Sequence, residues 1–241
     1  MSKVIAITGA NRGLGLEFVK QYSQDSNVTV IAYQRSDDRS AIEALKKDNV
    51  KIIKLDAADD EQVKKAVEET KKITKSIDIL INNAAINTGP FKLTEPQDLS
   101  PISKVHDTNV LGPIRVTTSF LPLLREGKDK KVIFISSGVA SLTRTVKKSF
   151  GPMAPYAMSK TGLNMVVALY SVELSDEGFT CLAFDPGHVQ TDMGGGHAPL
   201  TPPESIKNMI AKISSVSPEV NGKFFAVKGD PGSTKMEEED W

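Results

Sequence analysis

Short apolar runs alternate with amphipathic segments along the chain. The apolar runs predict seven strands, at 4–7, 28–33, 50–55, 77–81, 131–136, 180–184 and 222–227. The first run, Val4-Ile5-Ala6-Ile7, is continuous, as expected of a strand buried on both faces of a parallel sheet. Each run is short enough to be a strand of a sheet core.

Apolar positions at helical spacing predict the helices between these strands. They cover 16–22, 40–47, 99–124 and 204–212, and a further helix follows Asp59, which can cap it. Pro113 and Pro122 should bend or interrupt the long helix. Another helix is expected to begin near Pro155 and to stop at Gly178.

The alternation of strands and helices continues without an internal repeat or a linker-like change of composition. It predicts an α/β fold with one doubly wound, Rossmann-like parallel sheet of about seven strands and helices on both faces. We expect residues 1–241 to form one domain. Ligands of such sheets bind beyond the carboxyl ends of the strands.

Composition narrows the class of protein. Lys plus Arg and Asp plus Glu number 30 each, so nothing in the net charge favours nucleic acid or an anionic membrane. No signal peptide or apolar run of membrane-spanning length appears, and we expect a cytoplasmic protein. The single cysteine, Cys181, lies in a predicted buried strand, and the three histidines are scattered, so no metal site is expected.

A glycine-rich loop joins the first strand to the first helix. Its glycines, Gly9, Gly13 and Gly15, allow a tight turn and a close approach of the backbone to a pyrophosphate at the helix N-terminus. The spacing differs from both the G-x-G-x-x-G fingerprint and the P-loop. The strand–loop–helix context nevertheless favours a dinucleotide site over a merely compact connection.

The end of the second strand bears on which dinucleotide binds. An acidic residue there would hold the ribose hydroxyls of NAD, and basic residues would hold the 2′-phosphate of NADP. This strand ends in Tyr33-Gln34-Arg35, and Arg12 lies in the glycine loop, so two guanidinium groups are available to a phosphate. NADP is therefore favoured over NAD, although Asp37 and Asp38 follow closely. Asp56 is placed either to accept from the adenine amino group or to cap the next turn.

Tyr156 and Lys160 lie one helical turn apart on one face of their helix. A lysine ammonium beside a phenol favours the phenolate and lowers the tyrosine pKa, which makes the two residues a plausible acid–base pair. Such a pair on a helix is more often only a surface neighbour pair. Other motifs of the chain are needed to distinguish a catalytic pair from a surface pair.

Four motifs occur in one order: Thr8-Gly9-x-x-x-Gly13-x-Gly15, Asn82-Asn83-Ala84-Ala85, Ser136-Ser137 and Tyr156-x-x-x-Lys160. Over essentially its whole length the chain resembles the short-chain dehydrogenase/reductase family, and within it most closely the carbonyl reductases of the sniffer and C-factor group. The narrower likeness rests on Tyr156 to Lys160, on 191–195 and on Trp241.

This resemblance implies a mechanism and a set of site residues. Tyr156 would exchange a proton with the substrate oxygen, Ser137 rather than Ser136 would donate a hydrogen bond to it, and Lys160 would lower the tyrosine pKa and hold the nicotinamide ribose. Asn109 would position a water that passes protons toward Lys160. The implied cofactor-binding residues, besides Tyr156 and Lys160, are Gly9, Asn11, Arg12, Gly13, Leu14, Gly15, Arg35, Asp56, Ala57, Asn83, Ala84, Pro186, Gly187, Val189 and Thr191.

Two departures from the family pattern stand out. Ala85 replaces a glycine, which should cause only a small local adjustment. The segment between Ser137 and Tyr156 is longer than usual, so 142–153 should form an extra loop made basic by Arg144, Lys147 and Lys148.

The segment after the sixth strand should cover the substrate. We expect a substrate loop at about 186–212, in which the stretch from Gly194 to Pro203 acts as a mobile lid, with His188, Met193 and His197 as candidate pocket residues. The substrate is expected to be a small carbonyl compound or alcohol of unknown identity. A homodimer or homotetramer is also implied by the family.

Three other functions compete with an NADPH-dependent carbonyl reductase. A catalytically weak dinucleotide-binding regulatory protein need not retain Ser137, Tyr156 and Lys160 together. A sugar-nucleotide epimerase or dehydratase is disfavoured by the glycine spacing and by the short chain after Pro186. An interaction protein could use the acidic residues 237–240, for which a solvated terminus is the expected structure.

Overall fold

The computed structural model describes residues 3–147, 153–229, 232 and 234–241. The strands are β1 (Lys3–Thr8), β2 (Val28–Gln34), β3 (Val50–Lys54), β4 (Ile79–Asn82), β5 (Lys131–Ile135), β6 (Thr180–Asp185), β7 (Phe224–Lys228) and β8 (Lys235–Glu238). The helices are α1 (Gly13–Tyr22), α2 (Ser40–Glu43), α3 (Asp60–Ile73), α4 (Ser100–His106), α5 (Gly112–Arg125), α6 (Leu142–Val146), α7 (Ala154–Glu173) and α8 (Pro202–Ser215).

All eight strands form one sheet in the order β3-β2-β1-β4-β5-β6-β7-β8. The first seven are parallel, and β8 runs antiparallel to β7. The predicted doubly wound sheet is confirmed, with one strand more than expected. The strand order reverses between β1 and β4, which is where sheets of this kind bind ligands.

Side chains of β1 alternate between the two faces of the sheet. Val4 and Ala6 join the core on one face, whereas Ile5 and Ile7 join the core on the other. All four are buried, which explains why the sequence of a central parallel strand is apolar without interruption.

Helices cover both faces of the sheet. Helices α3, α5 and α7 pack on one face through residues such as Val63, Phe120 and Leu163. Helices α1 and α8 pack on the other through residues such as Phe18 and Met209. The apolar stripes of these helices are the ones that the sequence periodicity predicts.

The observed ends of two helices, α3 and α2, can be compared with those predicted from the sequence. Asp59 caps α3 as predicted, accepting from the backbone N–H groups of Glu61 and Gln62 at 3.0 Å. Helix α2, predicted over 40–47, ends at Glu43, and Lys46 adopts a left-handed φ of 51°. A β-turn-like conformation therefore replaces its second half.

The long helix predicted over 99–124 is divided as the prolines suggested. A π-helical turn, Asp107–Leu111, separates α4 from α5. It lies directly before Pro113, which has no N–H to donate to the carbonyl of Asn109. Pro122, in contrast, lies inside α5 without ending it.

The acidic end of the chain is not the solvated terminus that we expected. Residues Lys235–Glu238 add β8 to the sheet edge, and the N–H of Glu239 donates to the carbonyl of Phe224 at 2.9 Å. The Trp241 ring stacks on Phe224 with 5.6 Å between centroids. Main-chain pairing and one stacked ring hold this polar segment on the sheet. Its high charge therefore did not indicate a solvated terminus correctly.

The extra segment after Ser137 was also predicted incorrectly in part. Leu142–Val146 forms the short helix α6, with Ser141 as its N-cap, rather than an open loop. Met153 then pairs in an isolated bridge with Phe91. Lys148, which we expected to add positive charge, lies outside the described residues.

Within the described ranges, no helix has both the length and the apolar composition needed to cross a lipid bilayer.

Candidate active site

A cleft of about 1410 Å³ lies along the carboxyl ends of the parallel strands. Nearly all the site residues predicted from the sequence line it, namely Gly9, Asn11, Arg12, Gly13, Leu14, Arg35, Asp56, Ala57, Asn83, Ala84, Ser137, Tyr156, Lys160, Pro186, Gly187, Val189 and Thr191. Gly15 and Asn109 are the two predicted residues that do not.

The glycine-rich loop forms one end of the cleft. Gly9 and Gly13 adopt φ angles of 65° and 53°, which residues other than glycine rarely adopt. Gly15 lies beneath the loop, where an added Cβ would be 2.1 Å from the carbonyl oxygen of Gly9. Gly15 therefore permits close packing of the loop on α1 and does not line the cleft itself.

Hydrogen bonds join the two strands that flank the reversal of strand order. The Thr8 hydroxyl accepts from the N–H groups of Asn83 and Ala84, both at 3.0 Å. The Asn83 side chain donates in turn to the carbonyls of Thr8 and Gly9, at 2.9 and 3.2 Å. This network fixes the shape of the cradle, which has the open backbone and helix N-terminus that a pyrophosphate requires.

The basic residues predicted to hold a phosphate both face the cleft, but each is paired with its own acid. Arg12 lies 2.8 Å from Asp192, and Arg35 lies 3.9 Å from Asp56. Asp56 also accepts from the N–H of Ala58 at 3.0 Å, so it does cap the following turn. Both arginines and Asp192 are largely exposed, whereas Asp56 is partly buried. Ion pairs with such exposed members contribute little stability, so either arginine can exchange its carboxylate for a phosphate.

Ser137 and Tyr156 meet in the middle of the cleft. The Ser137 hydroxyl is close enough to the Tyr156 phenol to lower its pKa, and the Lys160 ammonium lies 5.5 Å from the centre of the Tyr156 ring. Neighbouring Ser136 faces the core instead, where its hydroxyl donates to Asn164 Oδ1 at 2.6 Å. The choice of Ser137 over Ser136 thus agrees with the alternation of side chains along a strand.

The pKa values of this pair differ from the expectation. Burial, then the charge of Asp185, raises the pKa of Tyr156, and the hydrogen bond from Ser137 lowers it only in part. Burial also lowers the pKa of Lys160 to about 7. Its Nζ donates to the carbonyl of Ile135 at 2.7 Å. In this cleft desolvation outweighs the attraction between ammonium and phenolate, so Tyr156 keeps its proton.

Asn109 lies in the π-helical turn and is buried. Its side chain bonds the N–H and the carbonyl of Ile86, both at 2.9 Å, and donates to the Ser159 hydroxyl at 3.0 Å. The amide group therefore ties the loop after β4 to α7 and does not face the cleft.

Six charged residues on the cleft wall were not among the predicted site residues. They are Asp37, Arg144 on α6, Asp185 at the end of β6, Asp192, Lys228 at the end of β7 and Glu239 after β8. Asp185 and Lys228 end parallel strands, which is a signal that the sequence did contain. Arg144 and Glu239 lie in the two segments whose structures were predicted wrongly.

His188 and Met193 also line the cleft, as proposed, whereas His197 does not. Among the described residues, no group of three or more His, Cys, Asp or Glu side chains is arranged to hold a metal ion. Cys181 is buried, and its burial raises the pKa of the thiol to about 12.

Comparison with known proteins gives consistent results. A profile of the short chain dehydrogenase family matches residues 3–199. An uncharacterised oxidoreductase of Schizosaccharomyces pombe is 33% identical over 250 residues, covering 95% of this chain and 96% of its own. The C-signal protein of Myxococcus xanthus is 38% identical over 160 residues, 66% of this chain and 94% of its own.

Two solved structures have the same architecture. The NADPH-bound carbonyl reductase from chicken fatty liver has a TM-score of 0.85 and 29% identity, with 93% of this chain and 96% of that chain covered. The carbonyl reductase Sniffer of D. melanogaster has a TM-score of 0.85 and 28% identity, with 94% and 97% covered. The predicted likeness to the sniffer and C-factor group is confirmed, and the chain belongs to the short-chain dehydrogenase/reductase family of oxidoreductases.

Proposed function

We propose that this protein is an NADPH-dependent carbonyl reductase that converts an aldehyde or ketone to the alcohol. The observation that carries the proposal is the meeting of Ser137, Tyr156 and Lys160 in the same cleft as the glycine-rich cradle. Relatives of known structure described as carbonyl reductases support it.

NADPH held in this cleft would supply the hydride that reduces the substrate carbon. Tyr156 donates its proton to the carbonyl oxygen, and the raised pKa keeps that proton on the phenol at neutral pH. The Ser137 hydroxyl fixes the same oxygen and stabilises its developing negative charge. Lys160, with a pKa of about 7, can return a proton to Tyr156 after each turnover.

The residues of the cradle fit a phosphorylated dinucleotide. The N–H groups of the glycine loop and the α1 N-terminus would hold the pyrophosphate, and Arg12 and Arg35 would exchange their carboxylate partners for the 2′-phosphate. NADPH bound to a reductase that is 29% identical to this chain supports this choice.

We expect NADPH to bind with a lower Kd than NADH, and Arg35→Ala to reduce that preference about tenfold, because one charge-assisted contact to the 2′-phosphate is lost. Fluorescence titration with both dinucleotides measures the effect. Arg39→Ala is the matched control, since Arg39 is exposed close by but does not line the cleft. Equal affinities for NADPH and NADH in the parent protein would refute the assignment.

The substrate region is proposed to be the part of 186–212 that precedes α8. The structure assigns residues from Pro202 onward to α8, which packs on α1, so 186–201 is the segment left to cover a substrate. NADPH oxidation monitored with an aldehyde, an α-dicarbonyl, a quinone and a cyclic ketone tests the function. Cofactor binding without turnover of any of them would favour the regulatory alternative.

We further propose that the chain forms a homodimer or homotetramer through α7. Met165, Leu169 and Val172 leave more than half of their side-chain surface exposed on one helix, which is unusual for a monomer. Light scattering should give a mass of at least two chains, and Leu169→Lys should lower it. A monomeric parent would exclude this interface.

A further inference from the structure

One wall of the cleft carries four charged side chains that the proposed mechanism does not use. They are two bases and two acids, namely Arg144, Asp185, Lys228 and Glu239. Arg144 Nη1 lies 3.7 Å from Asp185 Oδ2 and 3.8 Å from Glu239 Oε2. Lys228 Nζ lies 2.5 Å from the same oxygen of Glu239. The positive charges of this wall are therefore matched by an equal number of negative charges.

The charged wall lies next to the group that the mechanism assigns to the substrate oxygen. Gly138 directly follows Ser137, and a Cβ added to Gly138 would lie 2.3 Å from Arg144 Nη1 and 2.9 Å from its Cζ. The guanidinium thus packs against the loop that begins at Ser137. A substrate whose oxygen is bound by Ser137 would place its nearest substituent close to this wall.

Glu239 is held in the wall by the main chain. It directly follows β8, which pairs with β7, and its N–H donates to the carbonyl of Phe224 at 2.9 Å. Only 8% of its side chain is exposed, whereas 76% of the Asp192 side chain that pairs with Arg12 is exposed. A ligand can displace an exposed carboxylate from its arginine, but a buried carboxylate on a fixed backbone stays in place.

We propose that Glu239 is a specificity-determining residue of the carbonyl-reduction site. It cancels positive charge that Lys228 and Arg144 would otherwise present, so the cleft accepts neutral carbonyl compounds and rejects those with a carboxylate beside the carbonyl group. An anionic substrate would lose its hydration in this cleft without gaining an unmatched cation, and it would lie close to a buried carboxylate. The inference rests on the proposed function and names the class of carbonyl compound that the site reduces.

Lys160 does not change this balance of charge. Its Nζ already donates to the carbonyl of Ile135 at 2.7 Å, and burial lowers its pKa to about 7. At neutral pH it therefore carries only part of a positive charge, and the proposed mechanism uses its proton for Tyr156. An anionic substrate would still lack a cation of its own.

The test compares two pairs of substrates that differ in whether a carboxyl group is esterified: phenylglyoxylate and its methyl ester, and para-formylbenzoate and its methyl ester. The parent protein should reduce each ester with a kcat/KM at least about tenfold above that of the acid. Glu239→Gln leaves one positive charge of the wall unmatched and should narrow this ratio about tenfold. The effect should be larger for phenylglyoxylate, because its carboxylate is attached to the carbonyl carbon.

Glu238→Gln is the matched control. Glu238 is the preceding acid, its exposed side chain bonds Lys223 Nζ at 2.7 Å, and it does not line the cleft, so the ratio should stay at the parental value. The double variant Glu239→Gln/Lys228→Gln removes one charge of each sign. It should bring the ratio back toward the parental value, which a steric effect of the Glu239 substitution would not do.

The ratio of ester to acid decides between a role in specificity and a structural role. A change in rate that is equal for acids and esters in Glu239→Gln, or no change at all, would overturn the inference. If Glu239→Gln does not fold, Lys228→Gln replaces it, since 41% of the Lys228 side chain is exposed. That variant should widen the preference for the esters roughly threefold, and an unmoved ratio would overturn the inference.

The parent protein separates failure of this inference from failure of the proposed function. Reduction of the acids as fast as their esters would overturn the role of Glu239 and leave a carbonyl reductase. A parent protein that reduces no carbonyl compound would overturn the proposed function first, and the inference with it.

Discussion

Tyr156→Phe is expected to abolish carbonyl reduction while leaving NADPH bound. The variant removes the phenolic oxygen, and with it the proton that the proposed mechanism gives to the carbonyl oxygen. General acid catalysis of this kind contributes roughly 10²–10⁴-fold to rate. The ring itself remains, so the wall against which the dinucleotide lies keeps its shape.

Two measurements separate chemistry from binding in this variant. Steady-state NADPH oxidation should fall by that factor, and the Kd for NADPH from fluorescence titration should stay within a few-fold of the parent. Tyr170→Phe is the matched control. Its hydroxyl, on the same helix, bonds the Thr118 hydroxyl at 2.8 Å away from the cleft, so we expect a small loss of stability and full activity. Near-parental turnover by Tyr156→Phe would contradict the assigned proton donor.

The fold was predictable because its signals are local and repeated. Each apolar run marks a buried strand, and Asp59 and Pro113 mark helix boundaries at which the backbone lacks a partner. Strand β8 lacked such a signal. Its residues are charged, and its pairing with β7 depends on main-chain hydrogen bonds that any sequence can make. Edge strands of this kind are poorly specified by hydrophobic pattern.

The site was predictable where sequence motifs determine the backbone conformation. It was less predictable where charged side chains from distant parts of the sequence come together. The glycine loop and the Tyr156 helix are recognisable from their local sequence alone, which also indicates where they lie in the fold. The cluster of Asp185, Arg144, Lys228 and Glu239 is not recognisable in this way, because its ion pairs join residues from separate segments of the chain. For the same reason the sequence predicted the wrong direction for the tyrosine pKa. It identified the neighbouring lysine but not the burial that dominates.

The buried Lys160 lowers the free energy of unfolding of the protein. It is almost fully buried, and its pKa falls from 10.5 to about 7 because burial disfavours the ammonium. Between these values the unfolded chain binds a proton that the folded chain lacks. Stability from this group is therefore lost as pH falls from about 10.5, and the loss is complete below about 7, where it amounts to roughly 4 kcal/mol.

Lys160→Met is accordingly expected to inactivate the protein and to stabilise it. Activity should fall at least about 100-fold, since the group that replaces the proton of Tyr156 is gone. The free energy of unfolding should rise by roughly 1–4 kcal/mol at pH 7, because the carbonyl of Ile135 loses its donor and offsets part of the gain. The gain should shrink steadily as pH is raised toward 10.

Urea unfolding of parent and variant between pH 7 and 10 measures this difference. Lys131→Met is the matched control. Lys131 is another buried lysine whose pKa burial lowers, and its Nζ donates to the carbonyl of Ile213 at 2.7 Å. It lies at the amino end of β5, away from the cleft, so we expect a smaller stability change of the same sign with activity retained. A Lys160→Met stability gain that does not depend on pH would show that Lys160 is charged in the folded protein, and the proton relay through it would have to be abandoned.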